Sequence, residues 1–173
     1  MIKVLVTGDR NWTAESTRLT LTGADEGDSK ITAENNIWLS RRQTVREAIE
    51  HLELDFNTPL SQITIIHGGA RGADSLAGDL AAELGCKVRV YHASWQVYGK
   101  GAGPIRNRQM VDENPDIVHC LAFHDDLEGR SRGTLHMARY AKQNGISVNV
   151  YRSDGSYYVF MKARTGLQFG RGR

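Results

Sequence analysis

The segment from Gln62 to Gly85, QITIIHGGARGADSLAGDLAAELG, constrains this chain most. Residues 62–67 form a short β-branched run that fits a buried strand, and Leu76, Ala77, Leu80, Ala81 and Leu84 then recur at helical spacing. Between the two stand only a few residues, among them Gly68, Gly69 and Gly72. A strand that turns through glycines directly into a helix is the opening of a parallel crossover unit, and sheets built from such units are covered on both faces. Gly85 follows the last apolar position of the helix, where a left-handed cap belongs.

The alternation continues on both sides. Residues 2–7 (IKVLVT), 87–92 (KVRVYH), 116–123 (DIVHCLAF) and 147–151 (SVNVY) read as four more strands. Trp38, Val45, Ala48, Ile49 and Leu52 share one face of a helix over 37–54. A short helix opens near Pro104, whose missing N–H is no loss in a first turn, and GTLHMARYAKQNG closes a further helix at Gly145. The expected architecture is α/β: a Rossmann-like open parallel five-stranded sheet with helices on both faces. One domain is expected over 1–151, with an insertion at 13–36 and a C-terminal extension at 152–173. The insertion is polar and turn-rich and fits either a β-hairpin of RLTLT and KITA or a mobile flap, while YYVFMKA in the extension fits an edge strand.

Composition narrows the function classes. With 40% apolar and 24% charged residues the chain is globular, and a net charge of +2 is too mild for a surface that coats DNA. No apolar run reaches the ~20 residues of a membrane span, and the N-terminus lacks a signal peptide, so the expected location is cytoplasmic, with no membrane partner. Cys86 and Cys120 form no CxxC pair and are expected as reduced core thiols. The histidines show no HxxxH or HxH spacing, so no metal and no cofactor are expected.

In an open parallel sheet, ligands bind outside the C-terminal strand ends, where the strand order reverses. Four loops reach that edge here. GDRNW brings Gly8, Asp9, Arg10 and Trp12, and HGGARGAD brings Gly68, Gly69, Arg71, Gly72 and Asp74. ASWQVYGKGAGPIRNRQ brings Trp95, Lys100, Gly103, Arg106 and Asn107, and HDDLEGRSRGT brings Arg132, Gly133 and Thr134. Glycines admit close backbone approach, helix starts offer unpaired N–H groups, and guanidinium forks suit phosphate. The combination points to a small phosphate-bearing ligand. Asp74 serves either the helix dipole or a ligand hydroxyl, and Asp9 either an Asx turn or a hydroxyl. Trp12, Trp95 and Tyr98 either stack on a base or cover the core edge. GxGxxG is absent, as is GK[ST], which argues against a dinucleotide fingerprint and against NTP hydrolysis.

Together VLVTGDRNW, IIHGGARGADSLA, WQVYGKGAGPIRNRQM, NPDIVHCLAF and GTLHMARYAKQNGISV resemble the YspA-like branch of the SLOG superfamily. This is the Rossmann-like group that includes the LOG phosphoribohydrolases and the DprA DNA-processing proteins, and the resemblance spans residues 1–12 and 60–150. It implies a nucleotide or an ADP-ribose-like derivative as ligand, in proteins of bacteria or phages that sense or process nucleotide signals. LOG enzymes carry a GGxGTxxE glutamate, whereas Met137 stands at that place here and the first glycine pair is missing. Catalytic residues therefore stay unassigned, with His136, Asp9, Asp74 or Glu128 as substitutes that the spacing does not rank. Three functions remain open: a nucleotide-binding sensor or sequestering protein, a LOG-type hydrolase or transferase with a relocated acid, and single-stranded DNA binding. The mild charge argues against DNA, and the segments 13–36 and 152–173, which depart from the family pattern, are candidates for partner contacts or for those of a homo-oligomer.

Overall fold

The computed structural model describes residues 1–13 and 27–160. Its elements in chain order are β1 (Ile2–Gly8), α1 (Gly27–Asp55), β2 (Ile63–His67), α2 (Ala73–Glu83), β3 (Lys87–Val90), α3 (Trp95–Tyr98), α4 (Ala102–Asp112), β4 (Ile117–Phe123), α5 (Leu127–Arg130), α6 (Arg132–Gln143), β5 (Ser147–Tyr151) and β6 (Tyr157–Val159). The strands form one sheet in the order β3-β2-β1-β4-β5-β6. The first five run parallel, with Val4 opposite Ile65 on one side of β1 and opposite His119 on the other.

Side chains alternate across the strands and so build two cores. On one face Val4, Val6, Ile63 and Ile65 pack against Val45, Ile49 and Leu52 of α1 and against Ala77, Leu80 and Ala81 of α2. On the other, Leu5, Ile66, Cys120, Ala122, Val148 and Val150 meet Met110 and Val111 of α4 and Met137, Ala138 and Ala141 of α6. Each fully buried aliphatic side chain contributes roughly 1.5–3 kcal/mol relative to exposure. Both cysteines are free and buried in these layers.

The sheet has six strands, the five of the expected parallel sheet and an edge strand within YYVFMKA. The sixth comes from the C-terminal extension, where the turn Asp154–Gly155–Ser156 folds the chain back and β6 pairs antiparallel to β5, Tyr158 opposite Val150. Phe160 is buried beyond it and its N–H reaches the Val148 carbonyl at 2.8 Å. The insertion differs from expectation. KITA lies within α1, which starts at Gly27, and not in a hairpin strand; RLTLT lies outside the described residues. The first ten residues of α1 are mostly polar, so the apolar stripe that announces a helix begins only near Trp38. Two short helical turns, α3 and α5, replace what reads in sequence as plain loop.

Strand order reverses between β1 and β4, whose neighbours lead away in opposite directions. A crevice is therefore built at the C-terminal ends of these two strands.

Candidate functional site

A cleft of about 760 Å³ opens at that edge. Gly8, Asp9 and Arg10 enter it from the end of β1, Arg71 and Asp74 from the start of α2, and Trp95, Lys100, Gly103, Arg106 and Asn107 from α3, α4 and the turn between them. Arg132, Gly133 and Thr134 enter from the start of α6. Residues from four loops far apart in sequence thus share one wall. Gly68, Gly69 and Gly72 do not line the space but shape the loop behind it.

That loop is tightly determined. Gly72 has φ +93° as it hands the chain to α2, and a Cβ there would sit 2.6 Å from the Arg10 backbone. The close approach lets the Ala73 N–H bond the Asp9 carbonyl at 3.0 Å, which ties the β1 and β2 loops together. Asp74, in the first turn of α2, is 5% exposed and turns its carboxylate back on the loop. Its Oδ2 accepts from the Gly68 N–H at 3.1 Å and the Ala70 N–H at 3.4 Å, and His67 Nδ1 accepts from the Gly69 N–H at 3.2 Å. These three amides are thus engaged by the protein's own side chains. Burial pushes the Asp74 carboxyl up to about 6, against the opposing pull of the Arg106 charge and of the amides it binds. Burial also lowers His67, and Arg106 lowers it further, which favours its neutral form.

Arg106 is the central cation. Its guanidinium lies in the space that a Gly68 Cβ would take, so the absence of a side chain at Gly68 is what admits it. Nη1 donates to the Tyr91 carbonyl at 3.4 Å, while the buried Nε has no hydrogen-bond partner. Burial lowers its pKa and nearby Asp74 partly restores it. Arg10, Arg71, Lys100 and Arg132 stand exposed around it. Among the described residues none of these five cations has a carboxylate within salt-bridge distance. Elsewhere arginines are paired: Arg42 and Arg46 both reach Glu83. The cleft thus concentrates positive charge that forms no salt bridge among the described residues.

The α6 side is more open. Ser131 caps the helix by accepting from the Thr134 N–H at 3.2 Å, and the first N–H groups of α6 have no intrahelical acceptor. Buried Asn107 links α4 to α6 through the Gly133 carbonyl and His136 Nδ1, each at 3.5 Å.

Sequence reasoning passed over several lining residues, chiefly Asn11, His124 and Ser131, while His136, named there only as a candidate acid, also lines the space. His124 Nδ1 accepts from the Asp126 N–H, which leaves Nε2 facing Asp9 Oδ2 at 3.7 Å. The signal was available, since His124 follows β4 as Asp9 follows β1, and Gly8 pairs with Phe123. Trp12 needs a correction: it is fully buried against Phe123, centroids 5.7 Å apart, and has no face to offer a ligand. Its loop is too short to leave the core, because the Trp12 N–H bonds back to the Asp9 carbonyl. Trp95 is half exposed at the cleft, and Tyr98 is exposed nearby. Asp9 forms the Asx turn, accepting from the Asn11 N–H at 3.0 Å, and still lines the space. Met137 is fully buried in the α6 core. Among the described residues no group of three or more His, Cys, Asp or Glu side chains is arranged for a metal, and no helix is long and apolar enough to cross a membrane.

Fold and cleft together define a Rossmann-like protein with a cleft at the strand-order switch. A family model for the YspA, cpYpsA-related SLOG family matches residues 2–98, and the chain belongs to that family. It is 42% identical over 91 residues to the Gene 61 protein of Mycobacterium phage D29, an alignment covering 50% of this chain and 69% of the phage protein. The structure is also similar to DNA processing protein A (DprA) from Streptococcus pneumoniae, with a TM-score of 0.50 and 16% identity over 88% of this chain. The likeness shows the fold, and this chain spans about half, 50%, of the streptococcal chain.

Proposed function

We propose that the cleft binds a phosphorylated nucleoside derivative of ADP-ribose type and that the protein acts as its sensor or sequestering module. Membership of a SLOG family supports a nucleotide-related ligand. The observation that carries the reading is Arg106, a half-buried guanidinium with an orphaned Nε and, among the described residues, no salt bridge, ringed by four further cations that form none among those residues either. A buried charge is costly unless paired, and a phosphate supplies the missing pair with bidentate geometry. The start of α6 adds N–H donors and the positive end of its dipole. Trp95 offers a face to a base, and Asp9 an acceptor for a sugar hydroxyl.

Thermal unfolding with AMP, ADP-ribose, NAD and cyclic nucleotides tests this. A ligand at a hundredfold excess over its Kd adds ~2.7 kcal/mol, a rise of several degrees for a domain of this size. A flat response to every nucleotide in the set rejects the proposal.

One observation favours a second reading, a hydrolase or transferase of LOG type with a relocated acid. Asp74 lines the cleft with its carboxyl raised to about 6, the range in which a carboxylic acid donates a proton near neutral pH. Chromatography after overnight incubation with stoichiometric protein decides it. Ligand recovered intact excludes turnover of that ligand.

A further inference from the structure

A second groove adjoins the cleft. It runs between α4 and α6 with a volume of about 790 Å³, and Arg132 and His136 line both spaces. Arg108 and Arg139 also line it, and both side chains are exposed. Among the described residues neither they nor Arg132 form a salt bridge. The groove's one carboxylate, Asp112, is occupied: it accepts from the Tyr140 hydroxyl at 2.7 Å. Tyr140 and His136 lie parallel, 5° apart with centroids at 6.4 Å, and give the floor a flat aromatic surface.

These features repeat the logic of the cleft at its neighbour. Three guanidinium groups line a concave surface that holds one carboxylate, Asp112, ion-paired to none of them, beside rings on which a base can lie. Burial and the Arg108 charge both lower His136, so the shared wall stays neutral and does not add a titrating cation near pH 7. A mononucleotide that fills the cleft leaves Arg108, Arg139 and Tyr140, which line only the groove, unused.

We propose that the α4–α6 groove is a second anion subsite continuous with the cleft, so that the preferred ligand is a linear nucleotide with two separated phosphates, as in a 5′-phosphorylated dinucleotide. One phosphate meets Arg106 and the other meets Arg108 and Arg139. The inference rests on the nucleotide reading of the cleft and adds the length and charge of the ligand. Linking two sites in one molecule makes the second contact intramolecular, so affinity rises without any change in the first site.

The test is calorimetric titration of the full chain with AMP, with the dinucleotide pApA and with a dodecamer of deoxyadenylate, in the wild type and in the double variant Arg108→Ala, Arg139→Ala. Both substitutions are on exposed side chains, and circular dichroism and the unfolding midpoint verify the fold. The expected result is pApA binding at least ~10-fold more tightly than AMP, about 1.4 kcal/mol. In the double variant the ratio falls close to one. The dodecamer binds no more tightly than pApA. Equal affinities for AMP and pApA in the wild type overturn the inference and leave the cleft reading standing, as does a preference for pApA that survives the double substitution. Affinity that keeps rising to the dodecamer, with steep salt dependence, overturns it in favour of a nucleic-acid strand. Failure of both AMP and pApA to bind overturns it as well; coupled with a blank nucleotide panel, that result removes the cleft reading too.

Discussion

The two glycine-containing turns that face each other across the cleft work in opposite ways. The turn from β2 to α2 is closed on itself: Gly68, Gly69 and Ala70 donate their N–H groups to Asp74 and His67, and Gly72 is wedged against the β1 loop. The turn into α6 is open, since Ser131 satisfies one N–H, Gly133 has free space where a Cβ would stand, and Arg132 and Gly133 border the cleft. The same residue types thus make a rigid wall on one side and a presenting edge on the other. What separates them is whether a buried side chain returns to claim the amides.

That contrast predicts unequal responses to the same small changes. Gly72→Ala has the largest effect, because its left-handed φ and the Arg10 backbone at 2.6 Å leave no room. A loss of about 3 kcal/mol or more in urea unfolding is expected, and a loss under 1 kcal/mol would show that the wall is not rigid.

Asp74→Asn comes next, with the opposite sign. The native carboxyl, near 6, holds its proton more tightly than the unfolded one at 3.8, so stability contributed below about pH 4 declines as pH rises through about 6. An amide escapes that penalty and keeps an oxygen for the Gly68 and Ala70 N–H groups. The variant is expected to gain on the order of 3 kcal/mol at pH 8 and nearly nothing at pH 4. Denaturant midpoints across that range measure it, and a pH-independent difference contradicts the assignment.

On the open side the effects shrink. Ser131→Ala removes the α6 cap and is expected to lose ~1 kcal/mol by the same measurement. Gly133→Ala, in a first helical turn with nothing near, is expected to gain ~0.5–1 kcal/mol. A large loss there would mean that this edge is as tightly packed as its counterpart.

The contrast also marks where sequence stopped being legible. Periodicity found five strands, the core face of α2 and that of the later part of α1, because β-branched runs and apolar stripes follow directly from burial. It brought four distant loops to one edge through the parallel-sheet rule alone. It could not tell a spent amide from a free one. Asp74 looks like any acidic residue in a first helical turn, and only its burial and its reach back to Gly68 show that it fills the loop it follows. Trp12 was misplaced for a related reason: four residues past β1 is loop by pattern, yet the turn at Asp9 sends the ring into the core. The polar start of α1 carried no stripe; β6 was legible as an edge strand in YYVFMKA, but its antiparallel pairing with β5 depends on a turn at Gly155.

The central claim is that Arg106, half-buried and without a salt bridge among the described residues, is the cation that takes the phosphate. Calorimetric titration of wild type and Arg106→Ala with ADP-ribose tests it most directly, with the unfolding midpoint of each followed alongside. Wild type is expected to bind and the variant to bind at least ~100-fold more weakly, about 2.7 kcal/mol, at an unchanged or higher midpoint. Equal affinity in the two proteins, or no binding by wild type, would contradict it.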